Sequence, residues 1–434
     1  MAFALLQMAL QGTANPHHFP KKKGLFIMQN PQIELLSPVG DAERLAYAIA
    51  YGADAVYLGA DRFGMRAAPK NFTPDALKDA VAYAHARGVR VYLTLNTVPN
   101  NEEIASLPDF VRLAREAGVD AFIVADLGVL AVVKKVAPDT DIHFSTQVGI
   151  ANYMAACAAY ELGAKRVVLA RELTLNEIAF IRENTPPALE LEAFVHGAMC
   201  MSFSGRCLLS QYLTGRDANK GECAQPCRWK YDLVDEKGHR MELGEEEGGG
   251  YILNANDLCT APFIDQIINA GVTSLKIEGR AKSFYYVASV TSAYRKAVDA
   301  YLTAPQAYVC PEQVLEELTR TSHRRYSPGF FAGREGAVQN TAFGGYLREW
   351  EVMGVVEDYN DGIATCSQRG KFVLGDELEV LSPDGKLFCF TPEFIWNSEN
   401  EPIEATPHAM MEYKLPCKIT LSRYSILRKK APLS

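Results

Sequence analysis

EAGVDAFIVAD, residues 116–126, decides the fold: a helix ends, Gly118 turns the chain, and a short apolar run follows. Glycine suits such a joint because it accepts the left-handed backbone that closes a helix before the chain enters a strand. The same phrase recurs as YGADAVYLGA around Gly52, ARGVRVYLTLN around Gly88, ELGAKRVVLAREL around Gly163 and NAGVTSLKIEG around Gly271. Runs 55–58, 121–124 and 167–170 are near-continuously apolar, as strands are when both faces of a parallel sheet are buried. Adding 33–36, 91–95, 142–145, 189–195 and 274–277 gives about eight strands, the number that closes a TIM-like (β/α) barrel. A doubly wound open sheet is the alternative, but SPVGDAE follows the first strand where a Gly-rich dinucleotide fingerprint would be needed.

Beyond about residue 330 the pattern changes to short alternating strands with turn signals at Asn360-Asp361-Gly362, Arg369-Gly370 and Asp384-Gly385, which predicts a small β-barrel or sandwich. The expected organisation is a flexible leader 1–30, a barrel 31–330 carrying a cysteine-rich insertion at 196–260, and a β domain 331–434. The leader has a short apolar run, but its Lys21-Lys22-Lys23 lies on the wrong side for a secretory signal, and Met28 is a plausible native start. No stretch is long and apolar enough to span a bilayer, so no membrane partner and a cytoplasmic location are expected. The Gly-rich acidic stretch 242–250 predicts a mobile hairpin or loop.

Of 434 residues 48% are apolar and 22% charged, a balance that excludes a largely disordered chain. The net charge of −8 argues against indiscriminate adhesion to nucleic acid or anionic lipid. Two basic groups, Arg320, His323, Arg324 and Arg325, and Arg423, Arg428, Lys429 and Lys430, remain weak RNA-contact candidates, with a solvated charged face as the ordinary reading.

Five of the ten cysteines fall between Cys200 and Cys259. Cys200, Cys207, Cys223 and Cys227 follow the strand LELEAFVHG at intervals of seven, sixteen and four residues, without the paired C-x₂-C knuckles of common zinc ribbons. Grouped thiolates are soft ligands, and this spacing in a long loop favours an iron–sulfur cluster over zinc, with free structural thiols as the third reading. Cys259 is an alternative fourth ligand. Cys157, Cys310, Cys366, Cys389 and Cys417 are scattered and read as small buried apolar residues.

The run EAFVHGAMCMSFSGRCLLSQYLTGRDANKGECAQPCRW (192–229), with ELLSPVGDAERLAYAIAYGADAVYLG (34–59), HFSTQ (143–147) and SLKIEGR (274–280), resembles the collagenase-like peptidase family U32. The resemblance covers roughly residues 33–302, and the β-rich tail resembles that family's C-terminal domain. It is nearest to the members that hydroxylate tRNA uridine to 5-hydroxyuridine at the wobble position. It therefore implies RNA modification, a 4Fe-4S cluster, prephenate or a related small carboxylate as co-substrate, tRNA as partner, and in some members a partner subunit of the same family. It also implies Cys207 and Cys223 as the most regular ligands, Cys200 as a third and Cys227 as the fourth.

Active sites of such barrels lie at the C-terminal ends of the strands. Asn96, Asp126, Gln147, Arg171, Glu172, Glu192, His196, Lys276, Glu278 and Arg280 fall at or near these ends, and structural ion pairs are the ordinary reading for any one of them. Arg171, Lys276 and Arg280 would form a cationic rim for a carboxylate or phosphate, Glu192 and Glu278 would handle protons, and His196 would serve the cluster or the chemistry. His143, flanked by Ile142 and Phe144, reads as a satisfied barrel histidine. The competing classes are a metal-dependent peptidase, for which neither HExxH nor G-x-S-x-G is present, and a cluster-bearing subunit of a hydroxylase complex.

Overall fold

Eight parallel strands close a barrel: β1 (Glu34–Pro38), β2 (Ala55–Leu58), β3 (Arg90–Leu95), β4 (Ala121–Val124), β5 (Asp141–Phe144), β6 (Arg166–Val168), β7 (Glu190–Ala198) and β8 (Ser274–Ile277). Closure comes from β8, which pairs with β1 on one side and β7 on the other. The computed structural model describes residues 33–64, 71–229, 231, 233–234, 236–238, 240–241, 255–333, 337 and 345–431. The expectations for the leader and for 242–250 concern residues outside these.

The αβ joints are built as their glycines require. Gly52 and Gly271 both have φ +98, and a Cβ at Gly271 would collide with the Arg182 side chain packed over it. Amphipathic helices cover the barrel: in Leu107–Glu116, Leu107, Phe110, Val111 and Ala114 are buried and the charged residues lie outside. Thr73, Asn100, Asp126 and Thr174 cap their helices, so each strand runs into its helix with the first backbone N–H groups satisfied.

The second domain is a seven-stranded antiparallel sheet built from Trp350–Asn360, Ile363–Gln368, Leu378–Leu381, Leu387–Phe390, Trp396–Asn397, Glu412–Pro416 and Ile426–Lys430. Asp361 and Gly362, with φ +49 and +81, form the tight turn between the first two of these strands. An apolar seam of Tyr47, Tyr51, Tyr285, Val355, Leu381 and Ile426 joins the domains. Within it Arg428, fully buried, donates to Glu317 at 2.7 Å and to Glu379 at 2.8 Å. Arg428 is thereby spent on the domain interface, and Arg320 on Glu317 and Glu379 at 3.3 and 3.1 Å, so neither presents a free basic face to RNA. Among the described residues no helix is long and apolar enough to cross a membrane.

Candidate functional site

The cysteine-bearing segment leaves β7 at Ala198 and lies over the C-terminal mouth of the barrel. It crosses in short pieces, the helix Leu209–Thr214 and single 3₁₀ turns at 203–205, 218–220 and 226–228, and returns in Asp257–Cys259, antiparallel to the end of β7. Three of its fastenings go to strand C-terminal ends or the loops after them. Arg206 Nη2 donates to the Ala125 carbonyl at 3.3 Å, the Val98 N–H donates to the Asn219 carbonyl at 3.3 Å, and Glu172 accepts from the Ser204 N–H at 2.9 Å. This is the face on which (β/α) barrels place their chemistry.

Cys200, Cys207, Cys223 and Cys227 are all free thiols at least partly open to solvent. Leu209 N–H points at Cys207 Sγ (3.3 Å) and Gln225 N–H at Cys223 Sγ (3.4 Å), the kind of amide contact that stabilises a ligating thiolate. Gln225 holds a left-handed backbone, φ +57, that a non-glycine residue adopts at a cost, and the contact to Cys223 is what that turn achieves. Burial pushes the Cys227 thiol up, Arg228 opposes the rise, and the neighbouring Cys200 and Cys223 add to it, so these three thiols share one electrostatic neighbourhood. Among the described residues no group of three His, Cys, Asp or Glu stands ready as a single-ion site. A four-iron cluster asks for a different arrangement, one thiolate at each of four corners, and four thiols, two of them with N–H···S support, suit it in kind. Cys259 is apart: it is buried in the barrel core beside Tyr294, and burial pushes its thiol up to about 12.

Below the mouth, inside the barrel, a closed ion network fills the interior. Arg166 reaches Glu34 at 2.6 Å, Glu190 at 2.6 Å and Glu192 at 3.1 Å, and Lys276 reaches Glu192 at 2.7 Å. Tyr92 donates to Glu34 at 2.6 Å. Burial pushes the Glu34 carboxyl up, yet the Arg166 guanidinium outweighs it and holds Glu34 below its ordinary range. His143 lines the same interior, against Tyr92, and burial followed by the Arg166 and Lys276 charges keeps its imidazole neutral.

The structure thus divides the predicted rim. Arg171 and Glu278 meet at the mouth: Arg171 contacts Glu278 at 3.4 Å, donates to the Ala198 carbonyl at 2.9 Å and stacks on Phe194 at 3.8 Å. Arg280 donates to Thr94 of β3 at 2.8 Å and packs against Gly59. Gln147, just after β5, accepts from Asn96, just after β3, at 2.8 Å. Arg171 Nε and Gln147 Nε2 are buried without a hydrogen-bond partner, two donors left over at the mouth. Lys276 and Glu192 instead belong to the interior network, because inward-facing positions of β7 and β8 carry them below the rim.

His196 lies elsewhere. The pairing of β7 with β8 slips between Phe194 and His196, a bulge that turns the histidine away from the interior-facing row. Gly197, φ +103, follows where a Cβ would strike the Glu278 carbonyl. The ring is enclosed by Tyr286, Tyr294 and Tyr326, with Nδ1 3.3 Å from the Tyr294 hydroxyl, and burial pushes its pKa down to about 3.

Glu34 and Arg166 carry the interior network and sequence reasoning passed over them; their one signal is a charged residue at the edge of an apolar run. Lys282, Arg228 and Asn256, which border the mouth, gave no periodic signal at all.

The family model of peptidase family U32 matches residues 40–341, and that of the U32 C-terminal domain matches 348–428. The tRNA hydroxylation protein P1 of Bacillus subtilis is 38% identical over 393 residues, covering 89% of this chain and 92% of that protein. The tRNA hydroxylation protein P of Escherichia coli is 34% identical, covering 86% and 91%. A collagenase of Porphyromonas gingivalis is 33% identical, covering 81% and 86%. On the match of both its domains, the chain belongs to peptidase family U32.

Proposed function

We propose that this protein hydroxylates uridine at the wobble position of tRNA to 5-hydroxyuridine, with a 4Fe-4S cluster on Cys200, Cys207, Cys223 and Cys227 and with prephenate or a related carboxylate as co-substrate. The observation that carries the reading is likeness along nearly the whole length, barrel and β domain together, to proteins named for tRNA hydroxylation. Such a cluster supplies one-electron redox chemistry when bound. The chain's own residues do the rest: the segment 199–229 roofs the mouth and limits water there, and Arg171 and Gln147 offer their unspent donors to a carboxylate. Arg280 keeps the rim cationic, and Glu278, tied to Arg171, is the carboxylate placed to hold a proton beside a bound substrate. Lys276, Glu192 and Arg166 fix the strands beneath. A tRNA substrate supports a cytoplasmic location as part of this reading.

The collagenase relative favours a second reading, a metal-dependent peptidase. Mass spectrometry of tRNA nucleosides from a strain lacking the gene separates the two. Loss of 5-hydroxyuridine, restored by the wild-type gene, supports hydroxylation. An unchanged nucleoside profile, together with metal-dependent cleavage of gelatin by the purified protein, supports the peptidase.

A further inference from the structure

Beside Cys200 a cavity of about 180 Å³ opens between the cysteine segment and the chain around Ser327, lined by Glu172, Met199, Phe203, Asn256, Ser327 and Phe330. Its walls are mostly apolar, with two aromatic rings and the thioethers of Met199 and Met201, surfaces that accept the flat face of a base. Asn256 is the exception. It is 8% exposed, yet its Oδ1 has no hydrogen-bond partner. Leaving an amide carbonyl buried and unmet is costly, so a lining group of this kind is poised for a donor from outside.

A cationic group adjoins the cavity. Arg228 donates to the carbonyl of Met199, a lining residue, at 3.2 Å, and Arg324 pairs with Asp257, next to Asn256, at 3.3 Å. Lys282 and Arg324 sit 4.4 and 4.5 Å from the ring of Tyr346, which is exposed. Burial weakens the hold of both on their protons, and Arg228 presses in the same direction on each. Asp257 is the carboxylate paired within this group, and Glu278, which also acts on Lys282, is taken by Arg171. The group therefore carries a surplus of positive charge against one wall of the cavity.

We infer that this cavity receives a uracil base turned out of a single-stranded RNA loop, its edge met by the Asn256 amide, while Arg228 and Lys282 hold the adjoining phosphate and the buried Arg324, paired with Asp257, adds its charge behind them. The inference rests on the RNA-modifying reading above and deepens it. Oδ1 accepts from the uracil N3–H and Nδ2 donates to a ring carbonyl, a two-point match that an amide makes with a pyrimidine edge. Phe203 and Phe330 supply the stacking that compensates for unstacking the base in the loop. The base then lies beside Cys200, within the roof of the mouth.

The test is binding of the full-length protein to an anticodon stem-loop carrying uridine, or an abasic site, at the wobble position. Wild-type protein is expected to bind the uridine loop about tenfold or more tightly than the abasic loop. Asn256→Leu and Phe330→Ala should each close most of that gap and leave abasic binding unchanged. Lys282→Gln should weaken both loops alike and reduce the slope of log affinity against log salt by about 0.7, the value for one single-strand phosphate contact. Unaltered uridine preference in both Asn256→Leu and Phe330→Ala overturns the base pocket, and an unaltered salt slope in Lys282→Gln overturns the phosphate group. Protein that restores 5-hydroxyuridine in cells yet shows no uridine-over-abasic gap overturns this site and leaves the proposed function standing. A gap without restored modification does the reverse.

Discussion

The interior of the barrel and its mouth are built from similar side chains and used in opposite ways. Inside, Arg166, Glu34, Glu190, Glu192 and Lys276 answer one another at hydrogen-bonding distance, and Arg166, Glu34, Glu192 and Lys276 are almost wholly out of solvent. At the mouth, Arg171 and Gln147 keep buried donors without partners, and four thiols stand free in a roof with little regular structure. Charges that are fully paired and desolvated hold strands in place and have nothing left to offer a ligand. Unspent donors and soft ligands at strand C-termini are where a ligand gains most. The paired scaffold lies below and the unspent donors and thiols above, and the same eight strands carry both.

The largest expected effect is at the mouth. Cys207→Ala or Cys223→Ala should drop tRNA hydroxylation in a deletion strain to the level of the empty vector. Both thiols lie on the roof outside the core, so the thermal midpoint of the metal-free protein should move by no more than about 2 °C. A large loss of stability would place these cysteines on the scaffold side. The converse holds inside. Glu192→Ala strands Lys276 and part of Arg166 without a counter-charge, and breaking a buried pair in this way costs about 3–5 kcal/mol, readable by denaturant unfolding. A neutral result would show that water enters the interior.

Acid should find the scaffold next. Burial holds His196 neutral to about pH 3 against an ordinary value of 6.5. Below pH 6.5 the unfolded chain therefore binds a proton that the folded chain refuses, and stability falls as pH drops toward 3. This residue alone should cost about 2 kcal/mol between pH 7 and pH 5, a loss removed in His196→Phe if the tyrosine cage accepts the ring. A pH profile unchanged by that substitution would show that another group sets the acid limit. The smallest effect returns to the mouth. Arg171→Lys keeps the charge but loses Nε and the guanidinium fork, so the apparent KM for a carboxylate co-substrate should rise about fivefold, roughly 1 kcal/mol, with kcat nearly intact. A fall in kcat at constant KM would move Arg171 from binding into the chemical step.

What was legible in the sequence follows the same division. Five of the αβ joints were marked by a glycine that the backbone needs, and all eight barrel strands lie within about three residues of the apolar runs that announce them. The grouping of the thiols was legible because four cysteines in one loop segment have few bland explanations, and the structure keeps all four on the roof of the mouth. The side-chain facing inside the barrel was not. Near-continuous apolar runs hide the period of two, so Glu192 and Lys276 read as rim residues when they belong to the interior. His196 was hidden for a different reason: a bulge between Phe194 and His196 leaves no mark on composition or spacing. Arg428 looked like one of a basic tail group, but only tertiary pairing shows that it is the buried bridge between domains. Asn256 is a single polar residue in NANDLC, and its unmet carbonyl exists only once the cavity around it has formed.

The most direct test of the division between mouth and scaffold is the visible absorption spectrum and metal content of the anaerobically purified protein beside its variants. Wild-type protein is expected to be brown, with broad thiolate-to-iron absorption and about four irons per chain. Cys207→Ala and Cys223→Ala should be colourless, while Glu192→Gln, a change confined to the interior, keeps the colour. A colourless wild-type protein holding one stoichiometric zinc, or a Cys207→Ala protein as brown as wild type, would contradict the account.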